Sequence, residues 1–282
     1  MELHGVGKRY GARSPWVLRG VELRLEPGSL TRVDGANGSG KSTLLALMAR
    51  IGRPTRGRVT GGGRRAYVPE RLPSVLPFDV RGYLDRLGAV HGLAEDVTRA
   101  RAEHWLERLG ATAWLHAPMA ALSKGTAQKV ALTQALMSDP DLLVLDEAWS
   151  GLDVASRAVV DEAVEERLAA GGTVVLVDHQ HAARPGRAVD ALRVEAGGLV
   201  RVPATPATAA EDVDRADVVE IEYLDGGVPR RFRVRARASD AALRELLAHP
   251  DHHVRSVRSV GPAVPVEPAG PAGPADHAAE SR

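Results

Sequence analysis

Hydrophobic and polar residues follow three different patterns along the first two hundred or so residues. Between 21 and 25, apolar residues alternate with charged ones, which predicts a half-buried strand. The apolar run 142–145 and the segment 173–177, which is apolar after Thr173, predict buried parallel strands. Segments 79–137 and 155–170 instead repeat Leu, Ala and Val at helical spacing. Strands that alternate with helices predict an α/β fold with a parallel sheet covered on both faces.

Composition changes after this first domain, which we expect to span 1–202 with a helical subdomain at about 71–138. Residues 203–216 are rich in Pro, Ala and Thr, as linkers are. Residues 217–260 have the pattern strand, strand, helix, strand, which predicts a small ββαβ appendage of α+β type. Residues 261–282 are rich in Pro, Ala and Gly and are expected to be disordered.

Composition also excludes several classes of protein. The 282 residues include no cysteine, so disulfides, thiolate metal sites and cysteine nucleophiles are excluded. With 37 basic and 36 acidic residues, the net charge of +1 gives no global basic field for nucleic acid. No apolar run approaches the roughly 18 residues of a membrane span, and the N-terminus lacks the apolar stretch of a signal peptide. Any membrane role is therefore expected to depend on another chain.

One strand of the appendage carries basic residues at every second position, so they share one face. They could form a nucleic-acid patch or pair with the acidic residues between 217 and 225. We favour a solvated, ion-paired sheet face, because the acids nearly neutralise the strand and only Phe232 could stack on a base. The basic residues are Arg231, Arg233, Arg235 and Arg237.

A glycine-rich loop follows the third predicted strand and precedes a helix, and it matches the pattern GxxxxGK[ST]. Glycines allow the backbone to wrap a polyphosphate with its N–H groups pointing inward, and the helix dipole favours the anion. Lys41 should reach the β- and γ-phosphates, and Ser42 should bind Mg²⁺. The expected nucleotide contacts are Gly35, Ala36, Asn37, Gly38, Ser39, Gly40, Lys41, Ser42 and Thr43.

Two acidic residues end the apolar run 142–145. An acid at the end of a buried strand next to a phosphate loop can hold Mg²⁺, which is the role expected for Asp146. The following acid, Glu147, can orient and deprotonate an attacking water. An apolar run that ends in two acids is a weak signal alone, but together with the loop it is strong.

Five segments in this order resemble the motifs of the ATP-binding-cassette ATPases. The resemblance extends from residue 1 to about 202 and implies a P-loop NTPase core with an antiparallel β subdomain and a helical subdomain. It implies the ATP-hydrolysing subunit of a membrane transporter, with ATP and Mg²⁺ as cofactors. The five segments are Asn37–Thr43, Leu122–Gln128, Leu142–Glu147, Ser150–Asp153 and Asp178–His179.

The resemblance also implies roles for residues outside the phosphate loop. Tyr10 would stack on adenine. Ser123, Gly125 and Gln128 lie in the signature segment (Leu122–Gln128), which would contact the γ-phosphate of ATP held by a second subunit. Glu147 would be the general base. His179 would contact the γ-phosphate and hold the water.

Several positions depart from the family pattern, among them Thr126–Ala127 before Gln128 and Ala148–Trp149 after Glu147. Lys124 replaces the first glycine of the signature segment. Glu70 follows the strand RRAYVP where the family has a glutamine that touches Mg²⁺. We expect this carboxylate to contribute to the metal site; the alternative is that it faces the permease.

The expected partners are a transmembrane permease on a separate chain and a second nucleotide-binding domain, in a homodimer or a heterodimer. No nucleic acid is expected. The protein would be cytoplasmic and peripheral on the inner face of the cell membrane, with export favoured over import because the helical region is short and a C-terminal unit follows. The alternative is a soluble ATPase of this family that acts on nucleic acid or ribosomes, although such proteins usually carry two cassettes or a long coiled-coil insertion.

Overall fold

A computed structural model describes residues 1–73, 76–177, 189–202, 218–225, 228–235 and 252–259. The chain divides into two units, Met1–Ala207 and Thr208–Arg282. In chain order the first unit contains β1 (Glu2–Lys8), β2 (Leu18–Arg24), β3 (Leu30–Asp34), α1 (Lys41–Met48), β4 (Arg56–Thr60), β5 (Arg65–Val68), α2 (Val80–Val90), α3 (Glu95–Arg108), α4 (Lys124–Leu136), β6 (Leu142–Asp146), α5 (Val154–Ala169), β7 (Thr173–Val177), β8 (Asp190–Glu195) and β9 (Gly198–Val202). Short 3₁₀ turns at Thr112–Trp114 and Met119–Ala121 connect α3 to α4.

The central sheet has six strands in the order β5-β6-β7-β3-β8-β9. All neighbouring pairs are parallel except β8 and β9. Strands β6 and β7 are buried along their whole length, as their mainly apolar sequences predict. Because parallel strands end at the same edge, the ends of β3, β6 and β7 lie together, and Asp146 pairs in register with Val177.

A second sheet, with the order β2-β1-β4, is antiparallel. Its apolar side belongs to the same core cluster as α1 and the central sheet, in which Leu3 and Leu18 join Leu44, Val144 and Val177. This packing fixes the position of the phosphate-loop helix between the two sheets. The structure thus contains the antiparallel β subdomain that was expected.

Helices α2, α3 and α4 form the helical subdomain around a third apolar cluster that includes Leu84, Leu106 and Val130. Asp79 begins α2 by accepting a hydrogen bond from the backbone N–H of Gly82 at 2.8 Å, a conventional N-cap. Residues Ala131 and Leu132 of α4 also pack in the core beneath the central sheet. Helix α4 therefore connects the helical subdomain to the sheet.

No helix within the described ranges is both long enough and apolar enough to cross a lipid bilayer.

The described part of the second unit is a three-stranded antiparallel sheet. It contains β10 (Val218–Asp225), β11 (Val228–Arg235) and β12 (His252–Ser259), with β10 in the centre. Arg231 contacts Glu222 at 2.6 Å and Glu220 at 3.7 Å, which supports the ion-paired interpretation of this face. The helix expected between β11 and β12, the linker and the C-terminal tail lie outside the described residues.

Candidate nucleotide-binding site

The phosphate loop (residues 35–43) connects β3 to α1, and its conformation requires glycine at two positions. Gly40 precedes α1 with a φ of 108°, and a Cβ there would lie 3.0 Å from Val17 Cγ1. Gly35 has a φ of 149°, and a Cβ there would lie 2.8 Å from the Val194 carbonyl oxygen. Any side chain at either position would combine backbone strain with a close contact.

The Lys41 ammonium lies inside the curve of the phosphate loop. Its Nζ donates to the carbonyl oxygens of Gly35 at 2.7 Å and Ala36 at 3.1 Å, and the residue is buried. In the described structure no side chain caps the N-terminus of α1. The helix dipole and a buried cation therefore act together at a loop whose residues Ala36, Asn37, Gly38 and Ser42 are exposed, a suitable arrangement for an anion.

Tyr10 lies beside this loop. Its hydroxyl is 3.0 Å from Thr43 Oγ1, the residue is 70% exposed, and Lys8 Nζ lies 5.2 Å from the ring centroid. An exposed aromatic ring next to a phosphate loop is well suited to stack on a base.

Asp146 ends β6 and is only 3% exposed. Its Oδ2 accepts a hydrogen bond of 3.0 Å from the hydroxyl of Tyr67 on the neighbouring strand β5. Burial, followed by the negative charge of Asp146 and this hydrogen bond, raises the pKa of Tyr67 well above its usual value. The phenol is therefore a constant donor to Asp146. Sequence reasoning missed Tyr67, because the pairing of β5 with β6 is not visible in either segment alone.

Glu147 has a left-handed backbone with a φ of 49°. Its N–H donates to Val177 O at 3.0 Å, and its carbonyl accepts from Ser150 N at 3.0 Å. Such a conformation costs a non-glycine residue about 1–3 kcal/mol, and strained residues of this kind concentrate at functional sites. Its position directly after Asp146 supports a role in the reaction.

Glu70 is about half exposed, and its carboxylate lies 3.5 Å from Arg71 Nε. Its negative charge also contributes, less than Asp146 does, to the raised pKa of Tyr67. Glu70 is therefore close enough to act electrostatically on the residue that contacts Asp146. His179 lies outside the described residues.

The signature segment forms the start of α4. Ser123 is the N-cap and accepts from Thr126 N at 3.2 Å. A Cβ at Gly125 would lie 2.6 Å from the Gly151 carbonyl oxygen, so only glycine fits there. Gln128 differs from these residues because its buried amide donates to Ala148 O at 3.3 Å and Pro69 O at 3.4 Å. The structure brings Ser123 and Gly125 together at an exposed helix start. The Gln128 amide instead has hydrogen-bond partners inside the core, and this position does not favour the contact with ATP that was expected for Gln128.

The oxygen atoms of Ser42 and Asp146 are suitable ligands for an Mg²⁺ ion that binds together with a nucleotide. The described residues contain no group of three or more His, Cys, Asp or Glu side chains that could hold a metal. Mg²⁺ commonly takes one or two protein ligands and completes its shell with water and substrate phosphates. The Ser42 hydroxyl and the Asp146 carboxylate fit that limited role.

Comparison with known proteins agrees with this geometry. The family model described as "ABC transporter" matches residues 18–150. A zinc import ATP-binding protein, ZnuC of Jannaschia sp. (strain CCS1), is 38% identical over 177 residues, which cover 61% of this chain and 69% of ZnuC. The chain belongs to the ABC transporter family. The family confirms the resemblance drawn from the motifs, and the chain is an ATP-binding and ATP-hydrolysing member.

Two further relatives extend the comparison. The cytochrome c biogenesis ATP-binding export protein CcmA of Bordetella bronchiseptica is 39% identical over 190 residues, 63% of this chain and 81% of CcmA. A dimeric ATP-binding cassette, solved in a post-hydrolysis state with ADP and Pi, superposes with a TM-score of 0.61 at 20% identity over 72% of this chain and 99% of the other. That likeness confirms the P-loop NTPase fold of the ABC family.

Proposed function

We propose that this ABC subunit hydrolyses Mg²⁺-ATP to power a separate membrane permease. The observation that carries the proposal is the shared edge of the central sheet, where the phosphate loop follows β3 and the Asp146–Glu147 turn follows β6. Phosphoryl transfer depends mainly on positioning and electrostatic stabilisation, and this edge supplies both.

Each residue then has a defined task. Lys41 and the backbone N–H groups of residues 35–43 hold the phosphates. Ser42 and Asp146 hold Mg²⁺, directly or through water, with Glu70 nearby, and the ion offsets phosphate charge. Glu147 orients the attacking water and accepts its proton at the carboxylate, assisted by His179. Tyr10 stacks on the adenine.

We propose a dimer of nucleotide-binding domains, as a homodimer or a heterodimer. The start of α4 is exposed and carries Ser123 as its cap, so an anion from another subunit could approach it. The structurally similar cassette with ADP and Pi is itself dimeric. Each signature segment would complete the ATP site of the partner.

We further propose that the subunit is cytoplasmic and peripheral, attached to the inner face of the membrane through the permease. Relatives include an import protein and an export protein, so relationship alone does not choose a direction. We favour export because the helical subdomain is short and a second unit follows the cassette.

The first experiment replaces the general base with an isosteric amide. Glu147→Gln should bind Mg²⁺-ATP as tightly as the wild type but hydrolyse it at least about a hundredfold more slowly, because general-base catalysis is typically worth that much. The matched control is Glu95→Gln, which makes the same change on the exposed surface of α3. Phosphate release measures turnover, and light scattering with ATP measures dimerisation.

Unchanged turnover in Glu147→Gln would remove Glu147 from the role of base. A Glu147→Gln protein that stays monomeric in saturating Mg²⁺-ATP would contradict the proposal that the subunit dimerises without the permease. Copurification with a protein that has several membrane spans would support the transporter proposal, whereas copurification with ribosomes or nucleic acid would contradict it. ATP-dependent accumulation of substrate in inside-out vesicles would support export.

A further inference from the structure

Lys124, which replaces the first glycine of the family pattern in the signature segment, makes a specific contact within this chain. Lys124 Nζ donates to Ser150 Oγ at 2.9 Å. The aliphatic part of Lys124 lies along Gly151, where a Cβ would be 3.7 Å from Cγ and Cδ of the lysine. A glycine at position 124 could make neither contact.

Ser150 is directly connected to the proposed general base. Its backbone N–H donates to the Glu147 carbonyl at 3.0 Å and so closes the turn in which Glu147 has its left-handed conformation. On the other side, the Glu147 N–H is held by Val177 O at the end of β7. A hydrogen bond from Lys124 to Ser150 therefore restrains a backbone turn that is strained and carries the base.

Two other contacts hold α4 against the same segment. Gly125 packs against the Gly151 carbonyl, and Lys129 Nζ lies 2.7 Å from Asp153 Oδ2. Asp153 in turn caps α5 by accepting from Ser156 N at 2.8 Å. Residues 150–153 are thus attached to α4 at three points, and the contact nearest to Glu147 is the one made by Lys124.

We propose that Lys124 is a positioning residue for ATP hydrolysis, which acts through Ser150 on the turn that presents Glu147. The proposal rests on the function proposed above. Because Lys124 is the first residue of α4, the same bond connects the turn of one ATP site to the helix start that would meet the ATP of the partner. When the start of α4 gains or loses its contact with the ATP of the partner, the restraint on the turn that carries Glu147 would then change.

The test is a double-mutant cycle with Lys124→Met and Ser150→Ala, measured as steady-state ATP hydrolysis. Each single variant should lower kcat about threefold to tenfold, the effect expected from one lost hydrogen bond, and leave KM for ATP within about twofold. The double variant should be no slower than the slower single variant, because both remove the same bond. Lys124→Arg and Ser150→Thr keep a donor and an acceptor and should recover most of the lost kcat.

Control variants separate this role from loss of structure. Arg99→Met removes a similar positive charge from the exposed surface of α3 and should change nothing. Thermal unfolding and ATP binding of every variant check that the protein is folded. An unchanged kcat in Ser150→Ala would overturn the inference. Multiplicative losses in the double variant would overturn it by showing that the two side chains act independently. A raised KM with normal kcat in Lys124→Met would overturn it by indicating a direct contact with ATP.

The experiments distinguish failure of the positioning role of Lys124 from failure of the proposed base Glu147. If the wild type hydrolyses ATP and Glu147→Gln does not, while Lys124→Met behaves as wild type, only the positioning role is wrong. If Glu147→Gln retains turnover, the proposed base is wrong irrespective of Lys124.

Discussion

Replacement of Tyr67 by phenylalanine would remove one hydroxyl from the site, and the structure allows its effect to be estimated. The lost bond is the 3.0 Å hydrogen bond to Oδ2 of Asp146, a carboxylate that is 3% exposed. Hydrogen bonds to charged groups contribute about 1.5–3 kcal/mol, and in a domain of this size each kcal/mol corresponds to about 2–4 °C in Tm. Tyr67→Phe should therefore unfold about 3–12 °C below the wild type in EDTA.

The loss should be smaller when Mg²⁺ and ADP are bound. If the cation is held at Asp146, its charge replaces the missing donor and stabilises the buried carboxylate. We expect the Tm difference between Tyr67→Phe and wild type to fall by at least half in Mg²⁺-ADP. The raised pKa of Tyr67 keeps the phenol protonated, so this stabilisation is fully present below the ordinary tyrosine pKa of about 10 and is lost progressively as the pH rises from there through the raised pKa. The Tm difference should therefore not vary between about pH 6 and 9.

The matched control is Tyr83→Phe. Tyr83 is half-buried, and burial alone, with no charged neighbour or hydrogen bond among the described residues contributing, raises its pKa to about 12. Differential scanning fluorimetry of both variants, with EDTA and with Mg²⁺-ADP, measures the four Tm shifts. Equal shifts for the two variants in EDTA, or a Tyr67→Phe shift that is the same with and without Mg²⁺-ADP, would refute the reasoning.

Two other predictions concern Glu70 and the domain boundary. Glu70→Gln should bind ATP with a weaker dependence on Mg²⁺ than wild type. The wild-type carboxylate attracts the cation when Mg²⁺ is present, and when Mg²⁺ is absent it repels ATP by about 1 kcal/mol at this exposed position. If titrations of ATP affinity against Mg²⁺ superimpose for the two proteins, Glu70 does not act on the metal. A chain truncated after Val202 should fold and retain ATP binding, since all proposed nucleotide contacts precede that residue, and a folded truncation that cannot bind ATP would contradict the proposed boundary.

Much of the central architecture could be predicted because its signals are local. The apolar runs of β6 and β7 predict buried strands without reference to any other segment, and both strands are fully buried. The phosphate loop carries its glycines, lysine and hydroxyls within nine residues, so one stretch of sequence defines it. The site features found in this way are those that a single segment contains.

The contacts that sequence reasoning missed join segments far apart in the chain. Tyr67 and Asp146 are separated by 79 positions, and only the register of β5 with β6 brings them together. Lys124 was recognised as a departure from the family pattern, but its bond to Ser150 depends on how α4 lies against the turn after β6. Helical spacing likewise predicted α4 without telling which side of it faces the core, so the buried position of Gln128 could not be foreseen.

The left-handed backbone of Glu147 has a consequence for any attempt to evolve this protein. Glycine is the residue that this conformation favours, and Gly would relieve a strain of about 1–3 kcal/mol while removing the carboxylate. Stability therefore favours glycine at position 147, whereas ATP hydrolysis requires glutamate there. A library selected only for thermostability would therefore accumulate inactive variants with glycine at this position. A duplicated gene whose product no longer needs to hydrolyse ATP could gain stability by the same substitution.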